Sequence, residues 1–278
     1  MGFGGFLFGT EAPAPYYWGE IDAKVNWCEA DYVVSPHVAE FWNTLSSLPM
    51  FVLGLTGAYL EAKHATGERR FLIMFLLLAL VGLGSAAFHG TLRWHWELLD
   101  ELPMLWTNHA LVYAQICVRD PPGSPTRWRV ILAILASAVG VSAAYVIYEM
   151  YVIFFVFYGL GVAAMYGFLF VERYRYGKLR ADFKKHFIIC AAVYNGAFLL
   201  WNLEHIYCDI VQPFNFHALW HLGAGYATYL YMFWLVGSRC RALLAMSKKK
   251  VDCSQEGSVT FERLGGFLPH YIKLVPHA

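Results

Sequence analysis

Charge is what this chain has least of. Asp, Glu, Lys and Arg make up 15% of its 278 residues, while hydrophobic residues reach 58% and mean hydropathy is +0.44. An average soluble domain carries about 25% charged residues, so an ordinary soluble fold is excluded. The net charge is only +1, and nucleic acid is not expected as a partner. Other absences narrow the choice further. No C-x-x-C pair occurs, so the six cysteines do not form a zinc site, and no N-x-S/T sequon is present. Residues 1–19 lack a basic n-region and are too broken for a signal peptide, and Phe at position 6 spoils the myristoylation pattern after Gly2. No internal repeat is visible, although many transporters show one.

Long apolar runs are what the chain does have. Spans are expected at roughly 36–60, 70–89, 97–118, 128–148, 150–171, 184–204 and 216–237, each about 20 residues, enough to cross the lipid core as a helix. The expected fold is therefore an all-α membrane protein, a seven-transmembrane helix bundle. Residues 1–35 would form an N-terminal segment, 36–237 the bundle, and 238–278 a loosely ordered basic tail.

Positive charge tests the span count. One side of that topology holds Lys63, Arg69, Arg70, Arg119, Arg127, Arg129, the bases between Arg173 and Lys185, and those from Arg239 to Lys273. The other side keeps only Lys24 and Arg93, a split of 19 to 2. Cytosolic loops carry the excess of bases, which puts the C-terminus in the cytosol and the N-terminus in the lumen. Cysteines sort the same way: only Cys28 and Cys208 fall on the lumenal side, where a disulfide or two free thiols are the alternatives.

Ionisable groups inside such spans are costly, about 2.5–3.5 kcal/mol each on insertion scales, and usually mark function. His217 and His221 stand at i and i+4 on one helix face, at the lumenal end of span seven. His89 ends span two, and Asp100 lies in the first turn expected for span three, both on that same side. Three imidazoles leave one position of a catalytic zinc site open. Ser85, four residues before His89, shares its face. His95 and His205 are reserve ligands, and Glu101 is a weaker acidic candidate. His109 reads as a hydrogen-bonded core residue. A second acidic group, Glu29 and Asp31 with Glu40 just inside span one and the amide of Asn26, has the oxygen chemistry of a calcium site.

Taken together these residues resemble the alkaline ceramidases. The likeness covers most of residues 16–237. It rests on Tyr17–Trp18–Gly19, Trp27–Cys28–Glu29, the run from Ala39 to Thr44 (AEFWNT), Gly84–Ser85 with Phe88–His89, Leu98 to Met104 (LLDELPM), Trp201–Asn202 and the run from His217 to His221 (HALWH). The adiponectin receptors look similar in architecture and in their His/Asp zinc site. The resemblance implies zinc on His89, His217 and His221, with Asp100 carrying the proton and Ser85 steadying the oxyanion. It implies calcium on Asn26, the Trp27 carbonyl, Glu29, Asp31 and Glu40, and a Cys28–Cys208 bridge. Familiar members have Asp first and Asn fourth in the calcium segment; here they are exchanged, with the carboxylate count kept. The implied reaction is hydrolysis of ceramide drawn from the bilayer, with membrane lipids as surroundings and no obligate protein partner. The expected location is the endoplasmic reticulum or Golgi membrane. A metal-containing lipid receptor and a hydrolase of another lipid amide are the rival readings.

Overall fold

The computed structural model describes residues 16–121, 124–176, 181–248, 257–263 and 270–276. Seven long helices follow one another: α1 (Phe41–His64), α2 (Arg69–Thr91), α3 (Trp94–Ile116), α4 (Pro125–Tyr148), α5 (Tyr151–Tyr176), α6 (Ala181–Val211) and α7 (Phe216–Lys248). Among the described residues, α1, α2, α4, α5 and α6 are long and apolar enough to cross a membrane. The other two helices carry much of the polar chemistry: Glu97, Asp100 and Glu101 lie on α3, and His217 and His221 on α7.

Boundaries differ from the sequence expectation in physically sensible ways. Helix α1 begins at Phe41 rather than 36, because Glu40 is extended and serves as its N-cap. The Ala39 and Glu40 amides instead donate to the carbonyls of Gly90 and His89 (3.0 and 2.8 Å), lacing the N-terminal segment to the end of α2. Helix α3 starts at Trp94, so Asp100 falls in its second turn and Glu97 in its first. The break at Tyr148–Met150 is observed, with Glu149 capping α4 in the left-handed conformation (φ 48°). Beyond the expected end of span seven, α7 runs on to Lys248, and in the tail strands β1 (Gly257–Arg263) and β2 (His270–Pro276) form an antiparallel hairpin. Residues 249–256, which include Cys253, lie outside the described residues.

Helix α1 packs against α2 and α7, α2 also against α3, and α6 against α7; α4 and α5 attach mainly through α3. Gly84 allows the closest of these approaches. A Cβ there would stand 2.1 Å from the Leu99 carbonyl oxygen, so α2 and α3 meet backbone to backbone beside Ser85 and Asp100.

The two ends of the bundle are closed differently. At one end Arg239, fully buried, donates to Glu68 (2.7 Å) and to the carbonyls of Val118 and Asp120, while Arg70 and Arg127 also face Glu68. At the other end Lys24 pairs with Glu149 (2.6 Å) and Arg93 with Asp22 (3.0 Å). Cys28 and Cys208 are joined in a disulfide that closes 180 residues of sequence separation.

Candidate metal centre

Two helices bring three histidines to one point. His89 comes from the last turn of α2, while His217 and His221 open α7. All three are buried, and one ligand nitrogen from each lies within 4.8 Å of the others. Ring centroids are 5.1 Å apart for His89 and His217, 4.8 Å for His89 and His221, and 4.5 Å for His217 and His221. This is the only such trio of metal-ligating side chains among the described residues.

Hydrogen bonds assign the ring nitrogens. His221 Nδ1 is 3.1 Å from the Asn43 carbonyl, and a carbonyl only accepts, so Nδ1 carries the hydrogen and Nε2 keeps its lone pair. Ser46 and Ser47 hydroxyls lie 3.0 and 3.2 Å from the same nitrogen. His89 Nδ1 donates to the Glu40 carboxylate, leaving His89 Nε2 buried with no hydrogen-bond partner. His217 Nδ1 is likewise buried and unpartnered, with its ring stacked on Trp27 at 4.0 Å. Partners that fix the outer nitrogen of a histidine and leave the inner one bare are the usual surroundings of a metal ligand. The donor set, all neutral nitrogen, suits zinc.

Asp100 and Ser85 line the same cavity as His217 and His221. Ser85 accepts a hydrogen bond from Ser47 (2.9 Å) and bonds the Asp100 carboxylate, which sets the direction of its hydroxyl. The cavity holds about 940 Å³ of empty space, part of it open to the outside. Away from the histidines its wall is mostly apolar and aromatic, with Phe154, Phe155 and Tyr158 from α5 facing Phe198 and Trp201 from α6. Glu101 also lines it, but its carboxylate accepts the buried Tyr145 hydroxyl.

The candidate calcium residues cluster on the other side of Glu40. Glu29 accepts the Trp42 and Asn43 amides (2.7 and 2.8 Å), and so caps the free N–H groups of the first turn of α1. Burial pushes its carboxyl up to about 7 despite those donors. Glu40 accepts the Trp27 amide (3.1 Å) and the Asn43 side-chain amide (3.1 Å). Asn26 donates to Asp31 (3.0 Å), so the exchanged pair is complementary within itself, and Asn26 Oδ1 is buried without a partner. Glu29, Asp31 and Glu40 are all buried, while Lys24 is committed to Glu149. Three buried carboxylates with an orphaned amide oxygen fit a hard cation.

Reserve candidates are placed elsewhere. His95 is exposed, and His205 stacks on Trp201. His109 bonds the Leu105 carbonyl (2.7 Å) and Ser137, as a structural residue does. Sequence reasoning passed over Asn43, Ser46 and Ser47, whose signal was a polar stripe at spacings of three and four in an otherwise apolar helix. It also passed over Glu204, which accepts the His217 amide at 2.6 Å.

Comparison with known proteins gives a consistent answer. The ceramidase family model matches residues 19–256. Alkaline ceramidase 3 of Mus musculus is 30% identical over 260 residues, covering 88% of this chain and 95% of its own length. Alkaline ceramidase YPC1 of Saccharomyces cerevisiae is 28% identical over 252 residues, covering 80% and 78%. The alkaline ceramidase of Arabidopsis thaliana is 26% identical over 224 residues, covering 77% and 82%. With a family match across most of its length and the histidine trio inside the matched region, this chain belongs to the ceramidase family of enzymes.

Proposed function

We propose that this protein hydrolyses the amide bond of ceramide within a membrane, releasing a sphingoid base and a fatty acid. The observation that carries this reading is the buried trio His89, His217 and His221, two of them anchored by their outer ring nitrogens, with His217 and His221 on the wall of an apolar cavity. These residues would hold zinc, which when bound supplies a Lewis acid for the amide carbonyl and makes water a nucleophile near neutral pH. Asp100 would accept the proton of the attacking water and return it to the leaving amine. Ser85, which accepts from Ser47 and donates to Asp100, would turn its one hydroxyl proton to the carbonyl oxygen as charge develops there and Asp100 takes up the water's proton. Trp201, Phe198, Phe155 and Tyr158 give an aliphatic chain an apolar bed and keep bulk water from the reacting amide.

The same reading places all seven helices across the bilayer, with the N-terminus in the lumen and the C-terminus in the cytosol. Its support is the segregation of bases, with Arg70, Arg127 and Arg239 converging at one end and Lys24 and Arg93 at the other. Calcium on Asn26, the Trp27 carbonyl, Glu29, Asp31 and Glu40 would order the N-terminal segment, and Glu40 would pass that order directly to His89. Residence in the endoplasmic reticulum or Golgi membrane completes the reading.

Purified protein in detergent, analysed for zinc and offered a panel of lipid amides, tests it. Ceramide turnover that is lost on zinc chelation and restored by zinc is the expected result. Tightly bound zinc with no turnover of any lipid amide would leave a lipid receptor instead, and preference for a different amide would make the protein a hydrolase of another substrate.

A further inference from the structure

Glu204 belongs to none of the ligand sets above. It lies on α6, carries a carboxylate, and is only 3% exposed. A buried carboxylate needs donors to replace the water it has lost. Two backbone amides do so here. The His217 N–H donates to Oε2 at 2.6 Å, and the Cys28 N–H donates to the same carboxylate. The first amide lies in the opening turn of α7, where N–H groups have no partner within the helix and negative charge is favoured. The second belongs to the half-cystine bonded to Cys208, one turn beyond Glu204.

The three histidines are not anchored alike. His89 is held by Glu40 and His221 by the Asn43 carbonyl, each through a ring nitrogen. Among the described residues, no hydrogen bond holds the His217 ring. Its Nδ1 is unpartnered, and its orientation depends on its backbone and on the Trp27 ring stacked over it at an interplanar angle of 21°. Glu204 grips the backbone of His217 and, through Cys28, the backbone next to Trp27.

We propose that Glu204 is the positioning residue for His217, fixing its backbone and its stacking partner through one carboxylate and so setting the geometry of the metal site. The proposal rests on the metal reading above. Gln at this position has one acceptor oxygen for two amides and turns an NH₂ group towards one of them. Asp keeps both acceptors but is one methylene short.

The test compares wild type, Glu204→Gln, Glu204→Asp and a control at the far end of α7, Arg239→Lys, as full-length proteins. Zinc affinity is read by chelator competition, the Cys28–Cys208 bond by mass spectrometry, and melting temperature and the kcat and KM for ceramide alongside. Glu204→Gln is expected to weaken zinc by about tenfold or more, the range found for partners that orient metal ligands. Glu204→Asp should fall between, and zinc-saturated variants should lose kcat more than KM. Arg239→Lys should lower the melting temperature without changing zinc affinity. If Glu204→Gln does not fold, Glu204→Asp decides alone. Wild-type zinc affinity in the Glu204 variants, with only the melting temperature lowered, would reduce Glu204 to a helix cap and overturn the proposal. Wild type that binds no zinc would overturn it together with the metal reading.

Discussion

Helices α2 and α5 are both apolar, yet they live in different surroundings. In the most apolar stretch of α2, 56% of residues are buried, against 6% in α5 and 11% in α4. Buried α2 is paired closely with α1 and α3 and carries Ser85 and His89 on its inner face. Exposed α4 instead turns Trp128, Leu132, Leu135 and Val139 outward, a stripe at spacings of four, three and four. Apolarity therefore does not separate a functional helix from a peripheral one here. Buried polar residues do: Glu40, Asn43, Ser46 and Ser47 around the start of α1, and Glu97, Asp100 and Glu101 on α3.

The contrast is most strongly tested at the metal centre. His217→Ala should lose both zinc and ceramide turnover, while Asp100→Asn should keep zinc and lose about 10²–10⁴-fold in kcat. Leu135→Ala on α4 should change neither. Elemental analysis and turnover assays check all three, and an active Asp100→Asn would remove Asp100 from the chemistry.

Next comes the disulfide. Cys28→Ser opens the link between the N-terminal segment and the end of α6, and should cost about 2–5 kcal/mol in stability. Among the described residues, the free thiols Cys117, Cys190 and Cys240 are buried elsewhere, and none of these needs replacing in that experiment. Equal melting of Cys28→Ser and wild type, followed in mild detergent, would deny the link a structural role.

A finer distinction separates the two acidic residues most deeply buried in the candidate calcium segment. Because Glu40 touches His89 as well, Glu40→Ala should weaken zinc by about 10–100-fold and also abolish stabilisation by calcium. Asp31→Ala should abolish the calcium response and spare zinc. Thermal melting with and without a calcium chelator, paired with zinc competition, distinguishes them.

The smallest effects come from glycine. Gly84→Ala forces a Cβ against the Leu99 backbone and should cost about 1–3 kcal/mol, whereas a Cβ at Gly140 on α4 meets nothing within 4 Å. Gly140→Ala should be neutral or gain up to about 1 kcal/mol in melting experiments.

Much of this molecule was legible in its sequence for simple reasons. Long apolar runs locate helices, and the i, i+4 pair His217 and His221 can share a face whatever surrounds it. His89 and Asp100 were reached by depth alone, because both fell at the same end of their spans. What stayed hidden depends on backbone partners. Glu40 looked like part of span one and remote from the zinc ligands, but an extended N-cap turns its carboxylate onto His89. Glu204 sits in the run WNLEHIY, where nothing marks it as the acceptor for an amide thirteen residues later. The tail hairpin was missed because its two strands are short and separated from the bundle by a basic stretch.

The metal centre draws its ligands from the second helix and the last. During synthesis, a chain that has produced α1 to α6 already contains His89, Glu40 and Asp100 but lacks the surface of α7 that covers them. Contacts so far apart in sequence form late, and buried charge left uncovered keeps an unfinished chain unstable. Arrival of α7 supplies two ligands and the fully buried Arg239 at the opposite end in one step. The trio thus records the making of α7: the three histidines meet only in a molecule in which that helix has joined α2.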